Sequence, residues 1–459
     1  MNPFFLYYSQ VNMHLLIDYC NATMELPQIN QVHKLLFIAC VLFFLASLGL
    51  SFPFELQGNS RQWHMTSNVK EVASKSYDYI IMGGGTCGCP LTATLSEKFS
   101  VLLIERGGSL YGNPLVIDKT YYGFPLIKTN KYMSMAQSFT SQDGVGNVRG
   151  RVLGGGSTIN RGIYSRASEE FDRKVAWDKK LVKGAYEWVE SKVVFPPFYL
   201  SQWQFVVEFS ILEAGVLPYN GFSLEHIKGT KFLGRHTSAD LLNARNPNNL
   251  TILLNAIVKS IIFHHNRNRN ETRAKGIRLP DPPQVAGITD DFKIIVEAGI
   301  APVSSNSSRI IIAAKIAMPT SKGVLELNNT YPRLNPSIRF NYLSSENDMK
   351  ECVKMIKLLN RIARSKSIAF FLGESWQEKL IGIGVDLRNF CKKNVRTFYH
   401  YHGGCTIGSG LRILDGSTFS KSPGTNPMAT LLMLGRYQVL KILRERKANS
   451  GLHFKENTK

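Results

Sequence analysis

The hexapeptide Gly83-Gly84-Gly85-Thr86-Cys87-Gly88 follows a β-prone run at 77–82 and precedes a segment at 90–97 that resembles a helix start. The glycines therefore occupy a strand-to-helix turn, which is the context that a dinucleotide-binding GxGxxG motif requires. We expect Gly83 to permit the tight turn, Gly85 to let a pyrophosphate approach the backbone, and Gly88 to let helix and strand pack closely. The free amides of the helix N-terminus would then bind the phosphates.

A second β-prone run, Val101-Leu102-Leu103-Ile104, ends at Glu105, 22 residues beyond Gly83. An acid at this place in a βαβ unit is well placed to accept hydrogen bonds from ribose hydroxyls. Strand, glycines, helix, second strand and terminal acid together predict a nucleotide-binding unit. The alternative is a glycine-rich turn without a ligand.

Another glycine cluster lies downstream, in the segment Gly150-Arg151-Val152-Leu153-Gly154-Gly155-Gly156-Ser157-Thr158-Ile159-Asn160, which has no helical periodicity. Its glycines would let the backbone lie flat against a ring system, and Asn160 could bond the polar edge of that ring. By itself the segment is equally compatible with an ordinary loop.

The carboxyl-terminal part contains His400-Tyr401-His402-Gly403-Gly404-Cys405 and Gly424-Thr425-Asn426-Pro427. Imidazole titrates near neutral pH and suits a general base, whereas an amide can orient a substrate oxygen without competing for its proton. A His-Tyr-His string is also compatible with a structural pair or a metal-binding fragment, since both rings share one face of a strand. No Cys/His cluster of zinc-like spacing accompanies it, so we predict no metal site.

With these residues the chain resembles the glucose-methanol-choline (GMC) oxidoreductases, FAD enzymes that oxidise alcohols, and within them the plant HOTHEAD-like and mandelonitrile-lyase-like branch. The resemblance runs from about Tyr77 to Arg446. Besides the segments quoted above, it includes Arg235–Leu242, the strand Asn249–Phe263, Asp415–Phe419 and Gly424–Arg436. The residues themselves predict a strand pair over Asp240–Phe263 and β-prone segments over Arg309–Tyr342. They also predict a helix over Asp348–Arg364 that lies against that sheet, because its apolar residues recur near helical spacing.

The resemblance implies an α/β fold with a Rossmann-like FAD-binding lobe and a second, α+β substrate-binding lobe. We divide the chain into an N-terminal extension and signal peptide at 1–51, the N-terminal part of the FAD-binding domain at 75–279, and the substrate-binding domain at 280–398. A C-terminal segment at 399–446 would return to the FAD-binding domain with the catalytic residues.

The resemblance also assigns roles to individual residues. It implies that His400 is the catalytic base, with His402 as the rival, and that Asn426 occupies the second active-site position. It implies FAD contacts for Gly83, Gly85, Thr86, Gly88, Glu105, Arg151, Gly155, Ser157, Asn160, Val258, Asp415, Gly416 and Pro427. The expected reaction is oxidation of a small-molecule alcohol to a carbonyl, with hydride transfer to flavin N5.

A hydroxynitrile lyase acting on a cyanohydrin is the alternative on the same scaffold. The lyase sequences carry histidine where this chain has Asn426, and a lyase needs a second basic group, so asparagine favours redox chemistry.

The chain departs from the family where segments are missing. A nucleotide-domain strand and the second family motif are absent between Leu279 and Pro280, and shorter gaps lie after Gly408 and near Phe232-Leu233-Gly234. Loss of a strand from a parallel sheet removes hydrogen-bond partners from its neighbour and uncovers apolar surface. A further alternative is therefore a truncated, catalytically inactive member with an incomplete flavin site.

Composition supports a folded chain of 459 residues with 44% hydrophobic content and a net charge of +21. No motif that reads RNA or DNA accompanies this charge, so we expect solvated basic residues and no nucleic-acid partner. The apolar run Leu35–Leu50 has the length of a signal-peptide core, with Met24 as a conventional start. It predicts secretion, and membrane association only if the segment stays uncleaved as an anchor.

Secretion agrees with glycosylation sequons at Asn249, Asn270, Asn306 and Asn328. The family resemblance, in an oxidising compartment, implies a disulfide between Cys352 and Cys391, the alternative being two buried thiols.

Overall fold

The computed structural model describes residues 64–111, 113–117, 129, 134–160, 163–194, 202–216, 228–229, 237–259, 285–289, 291, 293–304, 307–327, 335–372, 385–405 and 412–449. The predicted signal segment, three of the sequons named above (Asn270, Asn306 and Asn328) and the three sites of missing sequence lie outside this described part.

The described strands are β1 (His64–Thr66), β2 (Tyr79–Met82), β3 (Val101–Ile104), β4 (Ala136–Thr140), β5 (Gly146–Gly150), β6 (Ile163–Tyr164), β7 (Lys228–Gly229), β8 (Leu250–Leu253), β9 (Val285–Ile288), β10 (Ile294–Ser304), β11 (Ser307–Ile316), β12 (Val324–Glu326) and β13 (Ser337–Arg339). The described helices are α1 (Val69–Ala73), α2 (Gly88–Leu95), α3 (Pro114–Ile117), α4 (Gly156–Ile159), α5 (Glu169–Lys174), α6 (Lys179–Val193), α7 (Gln202–Glu213), α8 (Glu346–Ala363), α9 (Lys366–Leu372), α10 (Leu387–Asn394) and α11 (Met428–Asn449).

A parallel sheet of four strands, in the order β1-β8-β3-β2, carries the nucleotide turn. Tyr79 pairs with Val101, and Val101 pairs with Leu250, so the three longer strands run in step. The first three residues of β3 are buried, as expected for an inner strand covered on both faces. The predicted strand-turn-helix-strand unit is confirmed, with α2 beginning two residues before Pro90.

The strand β2 pairs only with β3 among the described residues and so forms an edge of this sheet. Ile80 is 56% exposed and Met82 is 41% exposed on this edge strand. Exposed apolar side chains along such an edge strand are what the loss of a neighbouring strand is expected to leave.

The long carboxyl-terminal helix α11 packs on the nucleotide-binding unit. A Cβ on Gly435 of α11 would lie 2.4 Å from the carbonyl oxygen of Cys87, so the helix approaches the α2 N-terminus closely. Cys87 Sγ also donates to the carbonyl oxygen of Leu431 at 2.9 Å. The carboxyl-terminal part of the chain therefore returns to the glycine turn.

An antiparallel sheet, β9-β10-β11, forms the second structural layer. Its long hairpin pairs Ile294 with Ile316 and Glu297 with Ala313. The helix α8 packs against β11, as its periodicity predicted. A disulfide joins Cys352 of α8 to Cys391 of α10, which confirms the pairing that the resemblance implied.

Three sequence predictions differ from the structure. The predicted extended segment from Asp240 starts as a 3₁₀-helix, Ser238–Ala244, because Thr237 and Asp240 form a reciprocal capping box. The predicted strand Asn249–Phe263 forms β8 over Leu250–Leu253 and then continues as a loop to residue 259, the last described residue before 285. The second glycine cluster contains the one-turn helix α4.

None of the helices in the described part of the chain combines the length and apolar character needed to cross a bilayer.

Candidate active site

The glycine turn after β2 has the geometry that its glycines predict. Gly83 adopts a φ of +99°, a conformation that favours glycine. A Cβ on Gly88 would lie 2.0 Å from the carbonyl oxygen of Gly83, so the helix N-terminus can meet the turn only without a side chain there. A Cβ on Gly85 would meet no protein atom within 4 Å. The backbone at Gly85 is therefore open to a close-lying ligand.

Glu105 lies at the end of β3 with only 5% of its surface exposed. Its Oε2 accepts a hydrogen bond from the Gly84 amide at 2.9 Å, and its Oε1 accepts one from the Gly107 amide at 2.7 Å. Burial raises the pKa of this carboxyl group, and these backbone donors oppose the rise. Glu105 thus ties the glycine turn to the end of β3, a role additional to the expected ribose contact.

The second glycine cluster lies directly against the first. The Gly154 amide donates to the Gly84 carbonyl oxygen at 2.6 Å, and a Cβ on Gly155 would lie 2.7 Å from Gly85 Cα. Gly155 has a φ of +57°, which suits glycine at this crowded crossing. Thr86 borders the same crossing, because a Cβ on Gly156 would lie 3.8 Å from its hydroxyl oxygen.

The resemblance implies a cofactor contact for Ser157, and the structure gives this residue a further role in the interior. Its side chain is buried, and its hydroxyl donates to the Gly154 carbonyl oxygen at 2.8 Å. The Ser157 hydroxyl oxygen in turn accepts a hydrogen bond from the Ser238 amide at 2.8 Å. These hydrogen bonds fix the backbone conformation of the second glycine cluster on its buried side.

Three arginines gather beside the crossing of the two glycine clusters. Arg106 donates to the Gly150 carbonyl oxygen at 2.8 Å, and Arg151 donates to the Ser134 carbonyl oxygen at 2.7 Å. Burial, with Arg106 and Arg151 nearby, lowers the pKa of Arg149 to about 9. Nη2 of Arg149 is buried without a hydrogen-bond partner in the described part of the chain.

A bound polyanion would offset this concentration of positive charge and supply the missing acceptor. The open backbone at Gly85 and the arginine cluster therefore both fit the pyrophosphate of FAD. Arg106 and Arg149 were not among the predicted cofactor residues, because their clustering depends on the pairing of β4 with β5 and on the return of the chain after β3.

Asn160, at the end of the second glycine cluster, contacts the carboxyl-terminal part of the chain. Its side-chain nitrogen lies 2.7 Å from the Met428 sulfur, at the start of α11. Pro427 stands immediately before this helix and accepts a hydrogen bond from the Leu431 amide at 2.8 Å. Asn426 is thereby placed at the same end of α11 as the cofactor segment.

The segment containing Asp415 lies against the histidine segment. Asp415 caps the 3₁₀ turn Gly416–Thr418 by accepting from the Ser417 amide at 2.8 Å. A Cβ on Gly416 would lie 2.7 Å from the Tyr401 carbonyl oxygen. Asp415 and Gly416 thus support the backbone beside His400 and His402.

His400 lies between Tyr399, whose backbone is strained, and Tyr401, whose side chain is held by packing and a hydrogen bond. Tyr399 adopts a φ of +60°, which is uncommon for a non-glycine residue and is often found at functional sites. Tyr401 stacks on Phe340 with ring centroids 5.0 Å apart, and its hydroxyl lies 3.0 Å from Thr397 Oγ1. These contacts fix the backbone on both sides of His400.

Lys315 of β11 connects the two predicted active-site residues. Its Nζ lies 2.8 Å from His400 Nδ1 and donates to Asn426 Oδ1 at 2.6 Å. The side chain is 9% exposed, and Glu297 Oε1 of β10 lies 4.0 Å from the same nitrogen. His400 and Asn426 therefore meet at one buried cation.

The surroundings shift the pKa values of these groups downwards. Burial lowers the pKa of Lys315 to about 8, and the Glu297 carboxylate opposes this shift. Burial, then the charge of Lys315, and then His402 hold the pKa of His400 well below its usual value. Near neutral pH, Lys315 is therefore charged and the imidazole of His400 is uncharged.

His402 and Val258 are the remaining predicted site residues. His402 Nδ1 lies 3.5 Å from the His400 carbonyl oxygen, and burial lowers its pKa. Val258 is half-buried in the loop after β8, two residues beyond Ala256, whose amide donates to the Glu105 carbonyl oxygen. No group of three His, Cys, Asp or Glu side chains in the described ranges could hold a metal ion.

Lys315 and Glu297 were missed by the sequence analysis. The available signal was a single lysine within the otherwise apolar run Ile310–Ala317. Lysine is rarely buried in a strand of this kind unless it has a partner. The sequence alone, however, did not show which residues would supply that partner.

Known proteins resemble this chain in both sequence and fold. The family model described as GMC oxidoreductase matches residues 319–435. An (R)-mandelonitrile lyase-like protein of Arabidopsis thaliana is 36% identical, with 83% of this chain and 92% of that protein covered. Sinalpyl alcohol oxidase Nec3 of Nesocodon mauritianus is 33% identical, with 82% of this chain and 90% of that protein covered.

The aligned length also bears on the missing segments. The alignment to the Arabidopsis lyase-like protein extends over 509 residues, more than the 459 of the whole chain, although only 83% of the chain takes part. Segments of that relative therefore have no counterpart in this chain.

Solved structures show the same fold at low sequence identity. Pyridoxine 4-oxidase from Mesorbium loti superposes with a TM-score of 0.62 at 16% identity, covering 80% of this chain and 99% of that one. A formate oxidase from Aspergillus oryzae RIB40, described with its FAD modification, gives a TM-score of 0.61 at 12% identity, covering 81% and 99%. The α/β flavoprotein fold is thus confirmed. The chain belongs to the GMC oxidoreductase family, whose cofactor is FAD.

Proposed function

We propose that the protein oxidises a primary or secondary alcohol to a carbonyl, with His400 as the base and Asn426 as the orienting group. One observation carries this assignment: Lys315 Nζ contacts both His400 Nδ1 and Asn426 Oδ1, so the base and the amide face one small region. Bound FAD supplies the hydride acceptor. The chain's own residues must then remove the hydroxyl proton and hold the oxygen.

His400 and Asn426 divide these two tasks. With Nδ1 engaged by Lys315, Nε2 is the imidazole nitrogen left to meet the hydroxyl proton. With Oδ1 engaged by the same lysine, the Asn426 NH₂ group is left to donate to the substrate oxygen. A base and a donor on the same oxygen favour its alkoxide character as the hydride leaves.

The segments that would hold FAD fit their parts of the cofactor. The open backbone at Gly85 and the amides at the start of α2 suit the pyrophosphate, with the arginine cluster supplying charge. Gly83 and Gly88 allow the turn itself, and Gly155 crosses beside it. Asn160, which contacts Met428 at the start of α11, and the neighbouring Pro427 would suit the flavin end.

A hydroxynitrile lyase is the second candidate, because several relatives at 31–33% identity are named (R)-mandelonitrile lyase. The presence of asparagine at position 426 argues against lyase activity. A lyase has to manage cyanide and a hydroxyl together, and an amide cannot serve as the second base. Asn426 is therefore better suited to oxidation.

The test compares His400→Ala with His402→Ala in flavin-loaded protein. We expect His400→Ala to lower turnover of alcohols by roughly 10²–10⁴-fold while flavin stays bound, whereas His402→Ala has a smaller effect. Alcohol-dependent bleaching of the flavin reports oxidation, and benzaldehyde release from mandelonitrile reports lyase activity. An unchanged rate in His400→Ala would remove it from the base role.

A third outcome concerns the missing segments. Protein that purifies without a 350–500 nm flavin band, takes up no added FAD and turns over neither substrate would support the truncated, inactive member. A stoichiometric flavin band would refute the claim that the flavin site is incompletely built.

We infer in addition that the protein is secreted. The disulfide between Cys352 and Cys391 and the apolar segment Leu35–Leu50 support an oxidising, extracellular destination. Expression in a secreting host, followed by N-terminal sequencing of protein from the medium, tests this. A start near residue 51 supports cleavage, and retention in the membrane fraction supports an anchor instead.

A further inference from the structure

Lys315 holds three oxygen or nitrogen neighbours at the end of its side chain. Two are close, at 2.8 Å for His400 Nδ1 and 2.6 Å for Asn426 Oδ1, and the third is Glu297 Oε1 at 4.0 Å. Glu297 and Lys315 share a face of the hairpin, because Glu297 pairs with Ala313, two residues before Lys315. The Phe398 ring lies over the ammonium with its centroid 5.8 Å from Nζ.

The charge of this lysine decides which nitrogen of His400 carries the proton. An ammonium group has three donors and no acceptor, so charged Lys315 requires Nδ1 to accept. The ring proton of neutral His400 then resides on Nε2. Nε2 in that state is a donor and cannot take the proton of an alcohol.

Loss of one proton from Lys315 reverses the arrangement. A neutral amine has two donors and one lone pair, so it can accept a hydrogen bond from Nδ1–H and still donate to Asn426 Oδ1. Nε2 then carries a free lone pair. The base described above exists only in this second state.

We propose that Lys315 is a positioning residue that makes His400 competent as a base, so that the two side chains accept the substrate proton as one pair. This proposal rests on the proposed alcohol oxidation. In the step, the substrate O–H bond breaks as an Nε2–H bond forms, while the Nδ1–H bond breaks as a third Nζ–H bond forms. The proton gained by the pair therefore appears as ammonium charge on Lys315. Bound FAD would supply the acceptor for the hydride of the substrate carbon.

Asn426 keeps one orientation through this change. Its Oδ1 accepts from Nζ whether the lysine carries three protons or two. The amide NH₂ therefore stays available for the substrate oxygen in both states. Lys315 thus changes the His400 tautomer without releasing Asn426.

The charged groups around the pair set the pH at which it becomes competent. Glu297 faces Lys315 from β10 and favours its charged form, while burial disfavours it more strongly and lowers the pKa of Lys315 to about 8. His400 faces it from the segment before His402, and burial, then the charge of Lys315, and then His402 lower the pKa of His400 well below its usual value. Asn426, on the third side, carries no charge. Activity should therefore rise with pH as Lys315 loses its proton, while His400 stays uncharged.

The tautomer itself can be measured without turnover. Protein labelled with ¹⁵N-histidine is titrated from pH 6 to 9, and the two ring nitrogens of His400 are followed by two-bond ¹H–¹⁵N correlation. The chain has 10 histidines, so His400→Gln assigns the signals. We expect the proton on Nε2 at low pH and on Nδ1 above a midpoint of about 8. A proton on Nδ1 throughout, or on Nε2 throughout, would overturn the proposal.

Substitutions at Lys315 separate its charge from its shape. We expect Lys315→Met to abolish the tautomer exchange, since no ionisable partner remains at Nδ1. The matched control is Lys322→Met, because Lys322 is exposed on the loop after β11 and should leave the exchange unchanged. Exchange that persists in Lys315→Met would contradict the pairing. If that variant does not fold, the wild-type titration alone decides the proposal.

Kinetics provide the second readout. Wild-type kcat/KM should rise about tenfold between pH 7 and pH 9, as a group of pKa near 8 titrates. Lys315→Arg, which keeps a permanent charge, should stay at the low-pH level throughout. If Lys315 had only a structural role, its substitution would lower kcat/KM equally at every pH and leave the shape of the pH profile unchanged. Tautomer exchange without any alcohol oxidation would refute the proposed function and leave the pairing in place.

Discussion

The open space at Gly85 and the crowding at Gly88 allow the glycine turn to be tested with one methyl group at a time. A Cβ at Gly88 would lie 2.0 Å from the Gly83 carbonyl oxygen, a backbone atom that cannot rotate away. A Cβ at Gly85 would meet nothing within 4 Å, and its φ lies outside the left-handed region. Gly88→Ala therefore perturbs the protein, whereas Gly85→Ala perturbs only the space that the cofactor would enter.

The expected magnitudes differ accordingly. Gly88→Ala should destabilise the flavin-free protein by about 1–3 kcal/mol, because the glycine turn and the helix α2 must separate to admit the methyl group. Gly85→Ala should leave the flavin-free protein within about 0.5 kcal/mol, or stabilise it slightly by restricting the unfolded chain. Its FAD affinity should fall roughly tenfold to hundredfold, equivalent to about 1.4–2.8 kcal/mol, since the methyl group occupies the closest approach to the pyrophosphate.

Thermal unfolding of the flavin-free variants measures the first effect, and FAD titration followed by quenching of flavin fluorescence measures the second. Gly184→Ala is the matched control, because Gly184 is exposed in α6 and a Cβ there also meets nothing within 4 Å. It should bind FAD as the wild type does. Wild-type FAD affinity in Gly85→Ala would refute the placement of the cofactor at this turn.

Three further predictions concern other parts of the molecule. Cys352→Ser should lower the free energy of unfolding by roughly 3–4 kcal/mol, since the disulfide closes a loop with a sequence separation of 39. Denaturant unfolding measures this loss of stability. The control Cys405→Ser changes a free cysteine and should have little effect. Equal destabilisation by the two substitutions would contradict the stabilising role of the disulfide. Ile80→Lys on the exposed edge of β2 should reduce self-association in light scattering without lowering stability, and unchanged association would show that this edge is covered. Asn249 should remain unglycosylated in secreted protein, because its side-chain nitrogen donates to the Ser96 carbonyl oxygen at 3.0 Å, and a glycan found there by peptide mass mapping would disprove this.

The nucleotide-binding unit was largely predictable because its signals are local. An apolar run, a glycine turn and a helix start lie next to each other between Tyr79 and Leu95, and each is favoured by its own residues. The helix α8 was predictable for the same reason, since its apolar positions repeat at helical spacing. Predictions were wrong where a short-range cap competed with β propensity, as at Asp240.

By itself, the sequence determined the family resemblance, the glycine turn, the disulfide pair that the resemblance implied, and His400 and Asn426 as the residues to examine. Only the tertiary structure decided that Lys315 lies between those two residues, 85 positions before one and 111 before the other. It also showed that Arg106, Arg149 and Arg151 lie together beside the contact between the two glycine clusters. The reason is physical: helices, turns and strands depend on neighbouring residues, whereas contacts between distant side chains depend on strand register and helix packing, which no local pattern encodes.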